Sequence, residues 1–131
     1  MKLESLDFIY MPSRDPAAEL EWFEQTLGAE VVFAIEAFGT RVAMVRLAQG
    51  PPHLLLSGHL GGERPVLVYR VPDLAAAVAE LEARGFDAGP QLGIPHGPIH
   101  SFTLPGGGHR VAIYELTRPE ANTRFEGRRD F

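Results

Sequence analysis

LDFIYMPSRDPAAELEWFEQTLG, residues 6–28, decides how the whole chain is read. LDFIYM (6–11) is a strand-forming run, and PSRDP breaks it. Asp15 is placed to cap a helix, because its carboxylate can accept from a free N–H of the first turn. Pro16 suits that turn, where its missing N–H costs nothing. Ala17, Leu20, Phe23 and Leu27 then recur at helical spacing, interrupted by Glu24. Gly28 supplies a left-handed stop. The stretch predicts a strand followed by a capped helix.

The same pattern returns in VLVYRVPDLAAAVAELEARG, residues 66–85. Asp15 lies seven residues after Phe8, and Asp73 lies seven after Val66. Leu74, Ala77, Val78 and Leu81 form the second helical stripe, which ends at Gly85. Strand-like pieces follow each helix. In the first half they are EVVFAIEA, TRVAMVRL and HLLLSG, with turns at FGT (38–40) and AQGPP (48–52). In the second they are DAGPQL, IHSFTL and HRVAIYEL, with PGGG (105–108) before the last. The chain therefore divides into two βαβββ units, about 4–60 and about 64–117, joined through GHLGGERP (58–65). A polar arm, 118–131, follows without a clear period and is expected to be extended. Phe125 and Phe131 are its candidate anchors.

The expected fold class is α+β in one domain: curved, mostly antiparallel sheets around a cavity, with the helices outside. The 131 residues suffice for one core, and an apolar content of 45% marks a globular chain. The net charge of -5 and the lack of a basic stripe argue against nucleic acid as a partner. With no cysteine, disulfides, thiolate metal sites and thiol nucleophiles are excluded. MKLESLDFIYMP lacks the apolar core of a signal peptide. No apolar run approaches the roughly 18 residues a membrane helix needs. A cytoplasmic protein with no membrane partner is the expectation.

Two βαβββ units in one chain of this size resemble the vicinal oxygen chelate superfamily. The resemblance rests on LDFIYMPSRDPAAELEWFEQTLGAEVV, YRVPDLAAAVAELEARGFDAG and LPGGGHRVAIYEL, and covers the chain to Pro119. That superfamily includes glyoxalases, extradiol dioxygenases, fosfomycin-resistance enzymes and bleomycin-resistance proteins. The resemblance implies a small-molecule ligand and a homodimer. In metal-dependent members each unit gives one ligand from its first strand and one from its last. Carried over, the first-strand positions fall on Phe8 and Val66. The last-strand position of unit two falls on Glu115. Its mate falls near Leu55 or Leu56, or on His59 if His53 is matched to His109. Phe8 and Val66 cannot bind a metal, so the resemblance implies a lost metal site and no cofactor. A divalent metal remains only through a rearranged set such as His59, His100 and Glu115.

Glu115 shares strand parity with Val111 and Ile113. It is either a pocket ligand and catalytic base, or a salt-bridged strand end. In a pocket it would call for a ligand with a cationic or hydrogen-bonding group. Arg70 shares parity with Val66 and Val68, and is either a binder of an anionic ligand or of Glu115, or a surface residue. His100 alternates with Phe102 and Leu104, and is either a base facing the pocket or a packed histidine. Pro95, Gly97 and Pro98 exclude a helical metal motif through His96 and His100. His53 and His109 follow turns and are expected to be exposed. Phe8, Tyr10, Phe33, Phe38, Phe102 and Tyr114 are candidates to line an aromatic pocket. LGIPHGPIH (92–100) is either a gate or a stiff connection. PGGGH lacks the residues of a phosphate loop, and no nucleophile elbow is present.

Three functions remain open. The first is a metal-independent protein like the glyoxalase and bleomycin-resistance members, binding a partly apolar or aromatic molecule among Phe8, Leu55, His59, Val66, Arg70 and Phe102. The second is a lyase, isomerase or dioxygenase using Glu115 and a histidine, His100 first. The third is an interaction module braced by the arm.

Overall fold

The computed structural model describes every residue except Phe38 and Ala88. The expectation for Phe38 therefore lies outside the described residues. Unit one comprises β1 (Ser5–Pro12), α1 (Pro16–Leu27), β2 (Glu30–Ala37), β3 (Thr40–Arg46) and β4 (His53–Ser57). Unit two comprises β5 (Val66–Arg70), α2 (Leu74–Ala83), β6 (Leu92–Ile94), β7 (Gly97–Thr103) and β8 (Arg110–Tyr114). A short helix, α3 (Ala121–Phe125), follows in the arm.

All eight strands form one curled, mixed sheet in the order β2-β3-β4-β1-β5-β8-β7-β6. The order is palindromic between units. Within each unit the first strand runs parallel to the last, β1 beside β4 and β5 beside β8. The units join where β1 and β5 pair antiparallel, with Phe8 opposite Val68 and Tyr10 opposite Val66.

The helices start and stop where their end chemistry dictates. Asp15 accepts from Ala18 N at 3.1 Å, and Asp73 from Ala76 N at 3.0 Å. Each carboxylate satisfies one orphan donor of the first turn, an effect of about 1 kcal/mol. Gly28 closes α1 at φ 65°. In α2 the cap is Arg84, and Gly85 takes the left-handed position just beyond it at φ 87°. Phe86 N then bonds Leu81 O at 3.0 Å, returning to the last turn.

Strand alternation divides the core in two. Phe8, Tyr10, Leu55, Val66, Val68, Ala112 and Tyr114 face the concave side in one cluster. Their neighbours face the helices: Leu54 and Leu56 pack with Leu20 and Phe23 of α1, and Ile113 packs with Leu74, Ala77 and Leu81 of α2. Each of the larger of these side chains contributes roughly 1.5–3 kcal/mol by leaving water.

The arm differs from the extended segment expected. After α3 it returns to unit one and pairs with the edge strand β2. Ala34 N donates to Arg128 O at 2.9 Å, and Asp130 N donates to Ala34 O at 2.6 Å. Phe125 and Phe131 do anchor it, against the concave cluster and the α1 cluster respectively. Among the described residues no helix is long and apolar enough to cross a membrane.

Candidate functional site

Two units built on one plan make their equivalent positions easy to trace. Phe8 and Val66 each precede a capping aspartate by seven residues. Tyr10 therefore matches Val68. β4 sets Leu55 beside Tyr10, and β8 sets Ala112 beside Val68. The last-strand position equivalent to Leu55 is thus Ala112. Glu115 lies beyond the end of β8 and turns to the other face. Phe8, Leu55, Val66 and Ala112 all sit in the apolar concave cluster. None carries a donor atom for a metal, so these positions do not fit one. Among the described residues, no group of three or more His, Asp or Glu side chains could hold a metal ion.

The parity read for Glu115 is right, but the face it shares with Ile113 is the one covered by α2. Its Oε1 accepts from Leu74 N at 2.9 Å, at the first turn of that helix. A carboxylate there satisfies an orphan donor and meets the positive end of the helix dipole. His100 lies opposite Ile113 in the β7–β8 ladder, and Phe102 packs with the α2 cluster. All three of these candidates lie on the helix side of the sheet. A Glu115→Ala variant is therefore expected to lose about 1 kcal/mol of stability in urea unfolding while ligand affinity stays within twofold. Affinity lost at unchanged stability would return Glu115 to the site.

Arg70 does face the concave side, at the end of its strand. It meets Asp7, with Nε 3.6 Å from the carboxylate, and not Glu115. The Tyr114 hydroxyl also donates to Asp7. Burial, then the Asp7 carboxylate, push the Tyr114 hydroxyl well above the usual phenol range. His53 is half-buried, not exposed, because β4 is an inner strand and sets it opposite Phe8. His109 is exposed as expected. His96 covers the middle of the concave face. Its ring lies 4.5 Å from Phe8, and its Nε2 meets Asn122 Oδ1 at 2.6 Å.

Phe8, Tyr10, Phe33 and Tyr114 thus fill the middle of the trough as core. The open space lies at one end. A cavity of about 550 Å³ is walled by Ile35, Ala37 and Val42 of unit one and by Gly93, Ile94 and Pro95 of the β6 hairpin. Ala121 and Phe125 of the arm close it. The stretch 92–100 is therefore an edge hairpin that gives the cavity one wall. Its volume is that of an ordinary small-molecule site.

His59 marks the polar end of this cavity, with Thr40 beside it. Its Nε2 lies 2.7 Å from Gly93 O, which can only accept, so Nε2 carries the proton. Nδ1 then accepts from the Ser57 hydroxyl at 2.9 Å. Tyr10 O–H lies 3.4 Å from the same nitrogen and accepts from Leu60 N at 3.0 Å. Burial lowers the His59 pKa, partly offset by the Gly93 carbonyl, and the ring is held neutral. Ser57, Arg118, Ala121 and Arg124 went unseen in the sequence. The one signal for Ser57 was its place two residues before His59.

Two βαβββ units sharing one curled sheet, with the helices outside, make the vicinal oxygen chelate fold. Solved structures of that shape include methylmalonyl-CoA epimerases. A substituted Streptomyces coelicolor enzyme bound to 2-nitronate-propionyl-CoA is 20% identical, at a TM-score of 0.70, over 89% of this chain and 97% of that one. The Mycobacterium tuberculosis epimerase is 21% identical, at a TM-score of 0.63, over 89% of this chain and 93% of that one. A hypothetical protein from Bacillus halodurans is 14% identical, at a TM-score of 0.65, over 85% of this chain and 93% of that one. No protein-family model and no curated protein matches the sequence.

Proposed function

We propose that this chain binds a small, largely apolar molecule in the cavity at the end of its concave face, and does so without a metal. The observation that carries this is the apolar set Phe8, Leu55, Val66 and Ala112, packed into the core where metal-dependent members place ligands. A preformed cavity of about 550 Å³, with His59 and Thr40 among its apolar walls, supplies the site. Apolar walls give affinity, and the His59 end orients a hydroxyl or carbonyl group. The expected result is that a ligand found by thermal-shift screening binds equally well, by calorimetry, before and after exhaustive chelation. An affinity that collapses with chelator and returns with one divalent metal sinks this reading.

The second reading is an isomerase moving a proton at an activated carbon. The epimerases named above support this class better than they support a glyoxalase or bleomycin-resistance type. In this chain the acid–base work would fall to His59, since Glu115 and His100 lie behind the sheet. Both His59 nitrogens are engaged, by Ser57 and Gly93. One bond would have to yield to substrate, and for that reason the geometry favours binding. Proton NMR of 2-methyl-branched acyl thioesters in deuterium oxide separates the two. Unchanged α-proton signals support binding alone, and exchange that His59→Gln abolishes establishes the isomerase.

A further inference from the structure

We propose that the cavity selects ligands bearing an anionic group, a carboxylate in the simplest case, which Arg118 and Arg124 receive at its mouth. This rests on reading the cavity as a ligand site and names the chemical class that site takes.

The argument starts from how the arginines are used. Arg14, Arg41, Arg46, Arg70, Arg84, Arg128 and Arg129 lie within ion-pair distance of a carboxylate, while Arg64 and Arg110, away from the cavity lining, bond backbone carbonyls. Arg118 and Arg124 line the cavity, and neither has an ion-pair partner among the described residues. Arg118 is held in place by acceptors that leave its charge uncompensated. Its Nε donates to Pro95 O at 2.7 Å, and an Nη donates to Ile94 O at 2.6 Å. Arg124 lies over the Phe125 ring, 5.8 Å from its centroid, and stays exposed. Glu120 brings one carboxylate to the same mouth. Two guanidinium groups against one carboxylate leave the mouth with a net positive charge, in a chain whose net charge is -5.

A fixed guanidinium beside apolar walls suits a planar carboxylate better than any neutral acceptor, because both partners of the bond are then charged. The Arg118 carbonyl bonds orient it before binding, which reduces the entropy lost on association. His59, bonded to the Gly93 carbonyl next to the Ile94 carbonyl that holds Arg118, has its pKa lowered by burial and adds no competing charge. The ligand that fits has an apolar body, an anionic group at the arm and a neutral polar group toward His59. Charge at this cavity is therefore opposite to the one a pocket Glu115 would have set, which called for a cationic group.

Calorimetry with 2-naphthylacetate and 2-naphthylacetamide tests this, since the two share a skeleton and differ in charge. The wild-type protein is expected to bind the carboxylate about tenfold more tightly than the amide. Arg124→Gln should shrink that preference to about threefold or less, and Glu120→Gln should widen it. Ala37→Trp, which fills the cavity from its rim, should abolish binding of both. Equal affinity for the two probes overturns the anion preference and leaves the cavity reading intact. Binding of neither probe by folded wild-type protein overturns both readings. Undiminished binding by a folded Ala37→Trp variant also overturns both, because it places the ligand elsewhere.

Discussion

Phe8→Ala is expected to cost about 3–5 kcal/mol of stability, read as a lower urea midpoint with an unchanged slope. Phe8 is only 4% exposed and stands at the first-strand position of unit one. Its ring contacts His96 at 4.5 Å and Tyr114 at 5.6 Å, between centroids. Truncation removes a large apolar surface and leaves a void that the surrounding strands cannot close. Ring-to-ring contacts add a further fraction to the loss. Phe8→Leu, which keeps much of the volume, should recover more than half of it. A loss below about 1 kcal/mol would show that the trough is loosely filled, and that Phe8 lines a cavity and is not core.

The second large effect is a fall in stability as pH drops below about 6.5. His53, His59 and His96 all have pKa values below the histidine norm, each mainly through burial. The sign follows from proton counts. Between the lowered native pKa and the ordinary unfolded value of about 6.5, the unfolded chain binds protons that the native chain does not. Acid therefore favours unfolding, and stability is flat above that window. Each fully protected histidine contributes up to about 1.4 kcal/mol per pH unit inside it. His96 should dominate, being 2% exposed among Phe8, Phe33, Asn122 and Arg118. His53 and His59 are partly exposed and should add less. Urea unfolding from pH 8 to pH 5 checks this. His96→Gln should reduce the slope by about one proton, and stability that rises as pH falls would refute the assignment.

Why could the strand pattern not choose a face for Glu115 and His100 when it placed every strand of unit one? In HRVAIYEL the alternation is nearly erased, because both faces of β8 are buried. Ala112 and Tyr114 meet the trough, while Ile113 meets α2. Periodicity shows which residues share a face, but it cannot tell two apolar faces apart. Helix ends were legible because their chemistry is local: Asp15, Asp73 and Gly28 act within one turn of their own sequence. The cavity was not, since Ile35, Ile94 and Phe125 come from three distant segments. His59 entered only by matching His53 to His109, whereas the ladders set His53 beside Phe8 and Arg110 beside Val66. The His59 tautomer depends on Gly93, whose contact arises only when β6 folds back.

The arm that closes the cavity also settles the fate of the sheet's outer edge. Strand β2 spans eight residues, and an uncovered strand of that length is a template for addition of another chain. Here Gly127, Arg128 and Asp130 occupy its hydrogen-bonding groups at Val32, Ala34 and Glu36. At the other margin β6 offers only three residues, bracketed by Pro90 and Pro95. The β2 margin is thus covered, and the β6 margin is too short to template much of a strand. Detaching the arm would open the cavity and, in the same step, turn β2 into a seed for aggregation.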